Sequence, residues 1–133
     1  MSSSALLRLS FFVAVIVAAL HTLAVTFFLY WHYWWFDNIL HFLGGLCLGF
    51  ASLGIFFLYR KSRVSPKPNT VLLVALISVL IVGGVWEIFE YCNGFTDNSI
   101  GSYPLDVVKD LTFGVIGSYV AYRYSLKSPD HKL

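Results

Sequence analysis

The sequence predicts an all-α integral membrane protein, folded as a four-helix bundle, and two observations lead to this fold class. Hydrophobic residues make up 58 % of the 133 residues and charged residues only 12 %, whereas soluble domains carry about 25 % charged residues. Four apolar runs are each long enough to cross a bilayer, which takes ~20 residues. We therefore expect a single transmembrane domain, 1–133, with helices over about 6–31, 37–59, 70–91 and 105–124.

The basic residues predict the orientation. Eight of the nine lie near the start of the first helix, between the second and third helices, or near the end of the chain. With four spans these places share one side of the membrane, which the positive-inside rule makes cytoplasmic. We expect a multi-pass protein of the cytoplasmic (plasma) membrane, surrounded by membrane lipids, with both termini cytoplasmic. The residues concerned are Arg8, then Arg60, Lys61, Arg63 and Lys67, and finally Arg123, Lys127 and Lys132.

The first helix follows a basic residue, as the core of a signal peptide does. Its apolar run continues well past the usual length of such a core, so we predict a retained helix. His21 is an isolated histidine in this helix; a packing or hydrogen-bonding role is the ordinary expectation, and a functional role is the alternative. Six of the seven residues from Tyr30 to Phe36 are aromatic, as in the headgroup belt of a membrane protein. A wall beside a site is the second interpretation of this stretch.

The second, third and fourth helices share one layout. Each carries two polar residues three or four positions apart near one end, so that both lie on the same helix face. Small residues continue that face further in, and helices in lipid meet along such small-residue stripes. The polar pairs should therefore point into the bundle. The pairs and their glycines are Asp37 and His41 with Gly45 and Gly49, Glu87 and Glu90 with Gly83, and Asp106 and Asp110 with Gly114 and Gly117.

These six polar residues are expected to converge near the outer surface of the membrane. With cytoplasmic termini, the second and fourth helices begin outside and the third helix ends there. At 1.5 Å per residue, three of the residues form an outer layer and three lie roughly 4–6 Å deeper. The outer layer is Asp37, Glu90 and Asp106, and the deeper layer is His41, Glu87 and Asp110.

Five carboxylates and one histidine in a partly dry pocket require compensation, because burying unpaired ionised carboxylates is costly. The first interpretation is a divalent metal ion with all six residues as ligands; oxygen and imidazole suit magnesium, manganese, iron or zinc. The second is a set of protonated acids that form a proton relay. The third is structural, with Lys109 paired to Asp106 three residues before it. Helix bundles build carboxylate metal sites from pairs on facing helices, which favours the first interpretation.

Several other chemistries are not indicated. Cys47 and Cys92 are expected at different depths, so no disulfide is predicted, and they lack the CxxC spacing of a zinc-thiolate site. The sequence has no HExxH motif, nucleophile elbow or P-loop. No basic face extends beyond the membrane, so nucleic-acid binding is not expected.

The polar pairs form three motifs that resemble the small bacterial and archaeal YjdF-like membrane proteins. The resemblance covers about residues 37–121. More distantly, the chain is similar to VanZ-like proteins, which are associated with resistance to glycopeptide antibiotics of the teicoplanin type. VanZ-like sequences typically carry an asparagine after the last aspartate, where this chain has Phe113-Gly114. The resemblance implies a compact helical membrane protein with a polar site at one face, and it supplies no established reaction. The motifs are Asp37-x-x-x-His41-Phe42, Glu87-x-x-Glu90, and Asp106-x-x-x-Asp110 followed by Gly117.

The leading functional hypothesis is a metal-dependent enzyme that hydrolyses a lipid or polyprenyl phosphate at the outer leaflet, with Glu87 and Asp110 as catalytic residues. A bound metal ion would activate water and stabilise charge on the phosphate. One alternative is a non-enzymatic membrane factor that binds a cation or lipid and supports envelope integrity. Another is a proton-coupled carrier, which four helices can form only as a homo-oligomer.

Overall fold

The computed structural model describes residues 2–60, 65–94 and 102–127. Within these ranges the chain is helical and contains no strand, which confirms the all-α prediction. Its five helices are α1 Ser3–Thr26, α2 Leu29–His32, α3 Phe36–Tyr59, α4 Pro68–Asn93 and α5 Tyr103–Leu126. Of the residues used to predict orientation, Lys61, Arg63 and Lys132 lie outside the described ranges.

The helix predicted over 6–31 is divided in two. α1 ends at Thr26, Phe28 adopts a left-handed backbone conformation with φ 57° and ψ 34°, and α2 follows as a single turn. The prediction of four helices is thus corrected to four long helices and one short one. Bulky residues rarely adopt positive φ, and neither Gly nor Pro marks the break in the sequence. The short helix brings Tyr30 edge-on against Phe36 of α3, with ring centroids 6.0 Å apart.

The other helix ends follow from their residues. At the start of α1, the Ser2 hydroxyl accepts a hydrogen bond from the Ala5 N–H at 3.3 Å. Pro68 and Pro104 lie in the first turns of α4 and α5, where a missing N–H costs nothing. Gly94 ends α4 with a φ of 70°, which glycine adopts without steric cost. α4 and α5 consequently begin slightly before their predicted starts.

α3 is the central helix. It packs against α1, α4 and α5; α5 also packs against α4, whereas α1 has little contact with α4. The apolar core lies toward the end of the bundle that contains the start of α1 and the end of α3, away from the Asp37 end of α3. Its buried members are Leu6, Val13, Phe50, Leu53, Val71, Ala75, Ala121 and Tyr122.

Glycines allow α3 and α5 to approach each other at the level of their backbones. A Cβ atom at Gly45 would overlap the backbone of Gly114, and one at Gly117 would overlap the carbonyl of Phe42. No side chain larger than hydrogen fits at either position without moving a helix. The small-residue faces of these two helices therefore lie at a helix contact, as the sequence predicts, and they lie directly below the polar pairs.

α4 joins the bundle through side chains. The Ser118 hydroxyl of α5 donates a hydrogen bond to the Ala75 carbonyl of α4 at 2.9 Å, and both residues are fully buried. A Cβ at Gly83 would lie 3.0 Å from Cδ2 of Leu111. Gly83 is therefore at the α4–α5 contact, but it faces the flexible end of a side chain and not a backbone.

Three helices, α1, α3 and α4, are long and apolar enough to span a membrane. Their outer surfaces carry exposed hydrophobic side chains such as Phe11 on α1 and Ile81 on α4. α5 is as long as α1, but Asp106, Lys109 and Asp110 lie within it and it does not reach the hydropathy of the other three. The fourth predicted span is therefore not confirmed within the described part of the chain.

Candidate functional site

The His41 imidazole lies at the centre of the polar end of the bundle. Its Nε2 is 3.4 Å from Asp37 Oδ1 and 3.8 Å from Asp110 Oδ1, and its Nδ1 is 4.0 Å from Glu87 Oε1. Carboxylates from α3, α4 and α5 thus surround one ring. The convergence predicted from the sequence is present for these four residues.

These contacts define two groups of potential metal ligands that share His41. Asp37, His41 and Asp110 form one group, and His41, Glu87 and Glu90 form the other. Within each group the ligand atoms lie within 4.8 Å of one another. In zinc sites, nitrogen and oxygen ligand atoms lie ~2.0–2.2 Å from the ion. Small side-chain rotations would bring the ligand atoms of either group to this distance from one ion. Five of the six predicted ligands therefore belong to one or other of these groups.

Lys109 compensates one side of this cluster. Its Nζ donates a hydrogen bond to Asp106 Oδ1 at 2.8 Å and lies 3.3 Å from Asp110 Oδ1 and 3.8 Å from Asp37 Oδ2. The Lys109–Asp106 pair predicted from the spacing is confirmed. Asp106, the sixth predicted ligand, belongs to this ion pair and to neither ligand group.

Two buried carboxylate oxygens of the cluster have no hydrogen-bond partner among the described residues. They are Glu87 Oε1 and Asp110 Oδ1, on residues that are 4 % and 1 % exposed. An unsatisfied buried polar group costs about 1–3 kcal/mol, and more when it is charged. A bound cation or a bound proton would remove this cost at Glu87 Oε1, whereas Asp110 Oδ1 already has Lys109 Nζ 3.3 Å away.

An apolar cavity of about 400 Å³ begins at the cluster. Asp37, His41, Glu90 and Asp110 form its polar end, while Glu87 lies outside its lining. Small and apolar residues of α1, α3 and α4 form the remaining walls. They include Ala14, Val17, Ala18, Gly44, Leu48, Val79, Val82 and Gly83.

A family model described as "Predicted membrane protein (DUF2238)" matches residues 2–129. The chain belongs to this family. It is the family of the YjdF-like proteins, so the resemblance carried by the three motifs is confirmed, whereas the link to VanZ-like proteins stays a prediction. No curated protein and no solved structure matches the chain. Family membership and three membrane-capable helices make this DUF2238 chain a membrane protein.

In this DUF2238 protein a second polar pair, His21 and Tyr30, also lines the cavity. His21 Nδ1 and the Tyr30 hydroxyl are 2.7 Å apart, and the hydrogen bond ties α1 to α2. Burial, and then the carboxylates of Asp37 and Glu90, raise the pKa of Tyr30 above its ordinary value. The hydroxyl therefore remains a proton donor. The hydrogen-bonding role expected of His21 is confirmed, but its partner was not predicted, because the aromatic stretch gives no reason to separate Tyr30 from the belt.

The start of α5 in the DUF2238 chain is tied to the end of α4 beside the cluster. The Tyr103 hydroxyl donates a hydrogen bond to the Glu87 carbonyl oxygen at 3.1 Å. The Tyr103 ring also packs against Tyr91, with centroids 4.9 Å apart. These contacts bring Glu87 and Asp110 to opposite sides of the same histidine. The sequence contains both tyrosines, but no local pattern predicts their contact.

Proposed function

We propose that this DUF2238 protein crosses the cytoplasmic membrane four times, with both termini inside and the polar cluster near the outer surface. The acids that lower the hydropathy of α5 point inward, since Asp106 and Asp110 are 6 % and 1 % exposed. Outward side chains such as Leu105 and Val108 are apolar and 57 % and 62 % exposed. α5 therefore offers lipid an apolar surface despite its composition. The clustering of basic residues supports the orientation.

Thiol labelling in intact cells tests this orientation. Cys92 is exposed near the end of α4 that the proposal places outside. In a Cys47→Ser variant Cys92 is the one remaining cysteine, and an impermeant maleimide is expected to label it. When Cys92→Ser is combined with Ser65→Cys, labelling is expected only after the cells are opened. The opposite pattern, with Ser65→Cys labelled from outside and Cys92 protected, contradicts the orientation and moves the cluster to the cytoplasmic face.

The polar cluster binds one divalent cation between His41 Nδ1, Glu87 and Glu90 in this proposal. The carboxylates on the Nε2 side already have a cation, because Lys109 lies 3.3 Å from Asp110 and 3.8 Å from Asp37. The observation that carries the proposal is Glu87 Oε1, which is buried without a hydrogen-bond partner among the described residues and lies 4.0 Å from the imidazole. A bound cation would supply the partner that this oxygen lacks.

Asp37 orients the imidazole for that role. A metal-bound histidine usually donates its other ring N–H to a carboxylate or carbonyl, which fixes its tautomer and orientation. Asp37 Oδ1 lies 3.4 Å from His41 Nε2 and one turn earlier on the same helix, so the α3 backbone sets their relative position. Lys109 in turn holds Asp37 and Asp110 on the far side of the ring.

The function that this arrangement supports best is hydrolysis of a lipid or polyprenyl phosphate at the outer leaflet. A divalent ion, when bound, activates water and stabilises charge on phosphate oxygens. Asp110 lines the cavity, and in this proposal its carboxylate accepts the proton from water. Glu90 lines the same polar end. Two of the ligands, His41 and Glu90, and the base therefore face one space with apolar walls, and Glu87 lies outside its lining.

Release of inorganic phosphate tests this function. Purified protein in detergent micelles is expected to release phosphate from phosphatidic acid or a polyprenyl diphosphate when manganese, magnesium or zinc is added, and to stop when EDTA is added. Asp110→Asn is expected to keep its metal and lose the activity, because it removes the base and no ligand. Phosphate release that persists in EDTA or in Asp110→Asn contradicts the proposal.

A non-enzymatic role in the membrane is the second candidate, and Lys109 is the observation in its favour. Acids that only stabilise a bundle are expected to be paired, and this lysine pairs with Asp106 at 2.8 Å and lies within 4.0 Å of Asp37 and Asp110. This candidate predicts no hydrolysis of either phosphate substrate, with or without added divalent metal. Metal analysis and the phosphate assay together distinguish the two functions.

A further inference from the structure

We infer that the cavity holds one hydrocarbon chain of a phosphate-headed lipid, which enters from the bilayer between α1 and α4. The inference deepens the proposed function and rests on it for the head group, which the cation would hold. The position of the chain rests on the cavity alone.

The walls are apolar on three sides. α1 contributes Val17, α3 contributes Leu48, and α4 contributes Val79 and Val82. Water needs several polar partners to occupy a buried space, and these four residues supply none; the polar groups of the lining lie at the cluster and at the His21–Tyr30 pair. A hydrocarbon chain is the occupant that matches them, and it is the component that surrounds α1, α3 and α4 in a bilayer.

The opening lies between two helices that do not close on each other. α1 and α4 both pack against α3 but have little contact with one another. Ala14 and Ala18 of α1 and Val82 of α4 line the cavity and are also exposed at the surface of the protein. A chain can therefore pass sideways from the lipid into the cavity without entering water.

The size and the polarity of the cavity suit a single chain with a charged head. Its volume of about 400 Å³ is at the lower end of the ~300–1,000 Å³ of small-molecule sites, too small for a complete two-chain lipid. The polar end carries Asp37, His41, Glu90 and Asp110. A phosphate would meet the cation there, with the Tyr30 hydroxyl as a further hydrogen-bonding group at the wall.

Gly44 offers a way to fill the cavity without disturbing the helix contacts. It lines the cavity, and a Cβ built on it meets no atom within 4 Å. Gly84 is its matched control, since a Cβ there also meets nothing within 4 Å and Gly84 is not part of the lining. Ala18→Leu fills the same space from the opposite wall and serves as a second test variant.

Photolabelling in vesicles tests the inference. Wild type, Gly44→Leu, Ala18→Leu and Gly84→Leu are reconstituted into phosphatidylcholine vesicles that contain phosphatidic acid with a diazirine on one acyl chain. After illumination, adducts are mapped by mass spectrometry. We expect wild type and Gly84→Leu to carry adducts on Val17, Leu48 or Val79 of the cavity. We expect Gly44→Leu and Ala18→Leu to lose these adducts while retaining those on Ile81 and Val85, which are 62 % exposed on the outer surface and report lipid contact in every variant.

Two results would overturn the inference: cavity adducts in Gly44→Leu and Ala18→Leu at the wild-type level, or wild-type adducts confined to the outer surface. Equal cavity labelling from the same diazirine chain on diacylglycerol, which has no phosphate, would overturn the phosphate-headed class of lipid. The metal content of the same samples distinguishes a failure of this inference from a failure of the proposed function. A wild type without metal overturns the cation site, and the cavity adducts still decide whether a chain is bound.

Discussion

Gly45→Leu and Gly117→Leu are each expected to lower the free energy of unfolding by about 1–3 kcal/mol, the usual cost of overpacking, or by more. Two effects oppose each other at these sites. Leucine is a better helix former than glycine by up to about 1 kcal/mol, but a Cβ at either site would overlap backbone atoms of the facing helix. The overlap dominates, because neither backbone can move without separating α3 from α5. Thermal unfolding in detergent, followed by circular dichroism, measures the change.

Gly84→Leu is the control for this comparison. Its Cβ meets no atom within 4 Å, so only the gain in helix propensity remains, and the variant is expected to be as stable as the wild type or more so. The stability of Gly83→Leu is expected to lie between that of Gly84→Leu and that of the two destabilised variants. A Cβ at Gly83 would be 3.0 Å from Leu111 Cδ2, and this flexible side chain can turn away. If Gly45→Leu and Gly117→Leu unfold at the same temperature as Gly84→Leu, then Gly45 and Gly117 do not lie at a tight helix contact.

The glycine contact also positions the candidate site. His41 lies one turn before Gly45 on α3, and Asp110 one turn before Gly114 on α5. Because Gly45 and Gly114 touch through their backbones, the two side chains above them come within 3.8 Å. A leucine at Gly45 is therefore expected to separate these groups as well as to destabilise the bundle. Packing and site geometry depend on the same small residues.

Much of this arrangement can be predicted from the sequence because it depends on helical periodicity. The spacing of Asp37 and His41, and of Asp106 and Asp110, places each pair on one face, and the glycines below show which face is inward. The helix break at Phe28 cannot be predicted in this way, since a left-handed aromatic residue has no local signal. The same holds for Tyr30, whose hydrogen bond to His21 depends on that break.

The role of Lys109 illustrates a second limit. Its pairing with Asp106 follows from their spacing on one helix, but its approach to Asp37 on α3 depends on how two helices pack. The position of Lys109 divides the predicted carboxylates into two sets. The charges of Asp37, Asp106 and Asp110 are compensated by Lys109, and those of Glu87 and Glu90 lie on the other side of the imidazole. Sequence periodicity treats the six residues as equivalent ligands, whereas the tertiary contacts favour Glu87 and Glu90.

Glu87→Gln and Glu90→Gln are expected to lose the divalent cation, because each removes a charged ligand from the group on His41 Nδ1. A ligand that binds only the folded state stabilises it, by about 2.7 kcal/mol when its concentration is 100 times the dissociation constant. EDTA should therefore lower the melting temperature of the wild type and leave that of both variants unchanged. Differential scanning fluorimetry in detergent, with elemental analysis of the same samples, measures both quantities.

Asp106→Asn is the matched control, since Asp106 is paired with Lys109 at 2.8 Å and belongs to neither ligand group. It is expected to retain the cation and the response to EDTA. The structural interpretation predicts the opposite sign for Glu87→Gln, because removing one of several like charges relieves their repulsion, so the variant should melt above the wild type. A wild type that is indifferent to EDTA and free of metal by elemental analysis, together with a more stable Glu87→Gln, would exclude the cation site and the hydrolase built on it. Elemental analysis is essential to this design, because an ion held too tightly for EDTA to remove would otherwise be mistaken for an empty cluster.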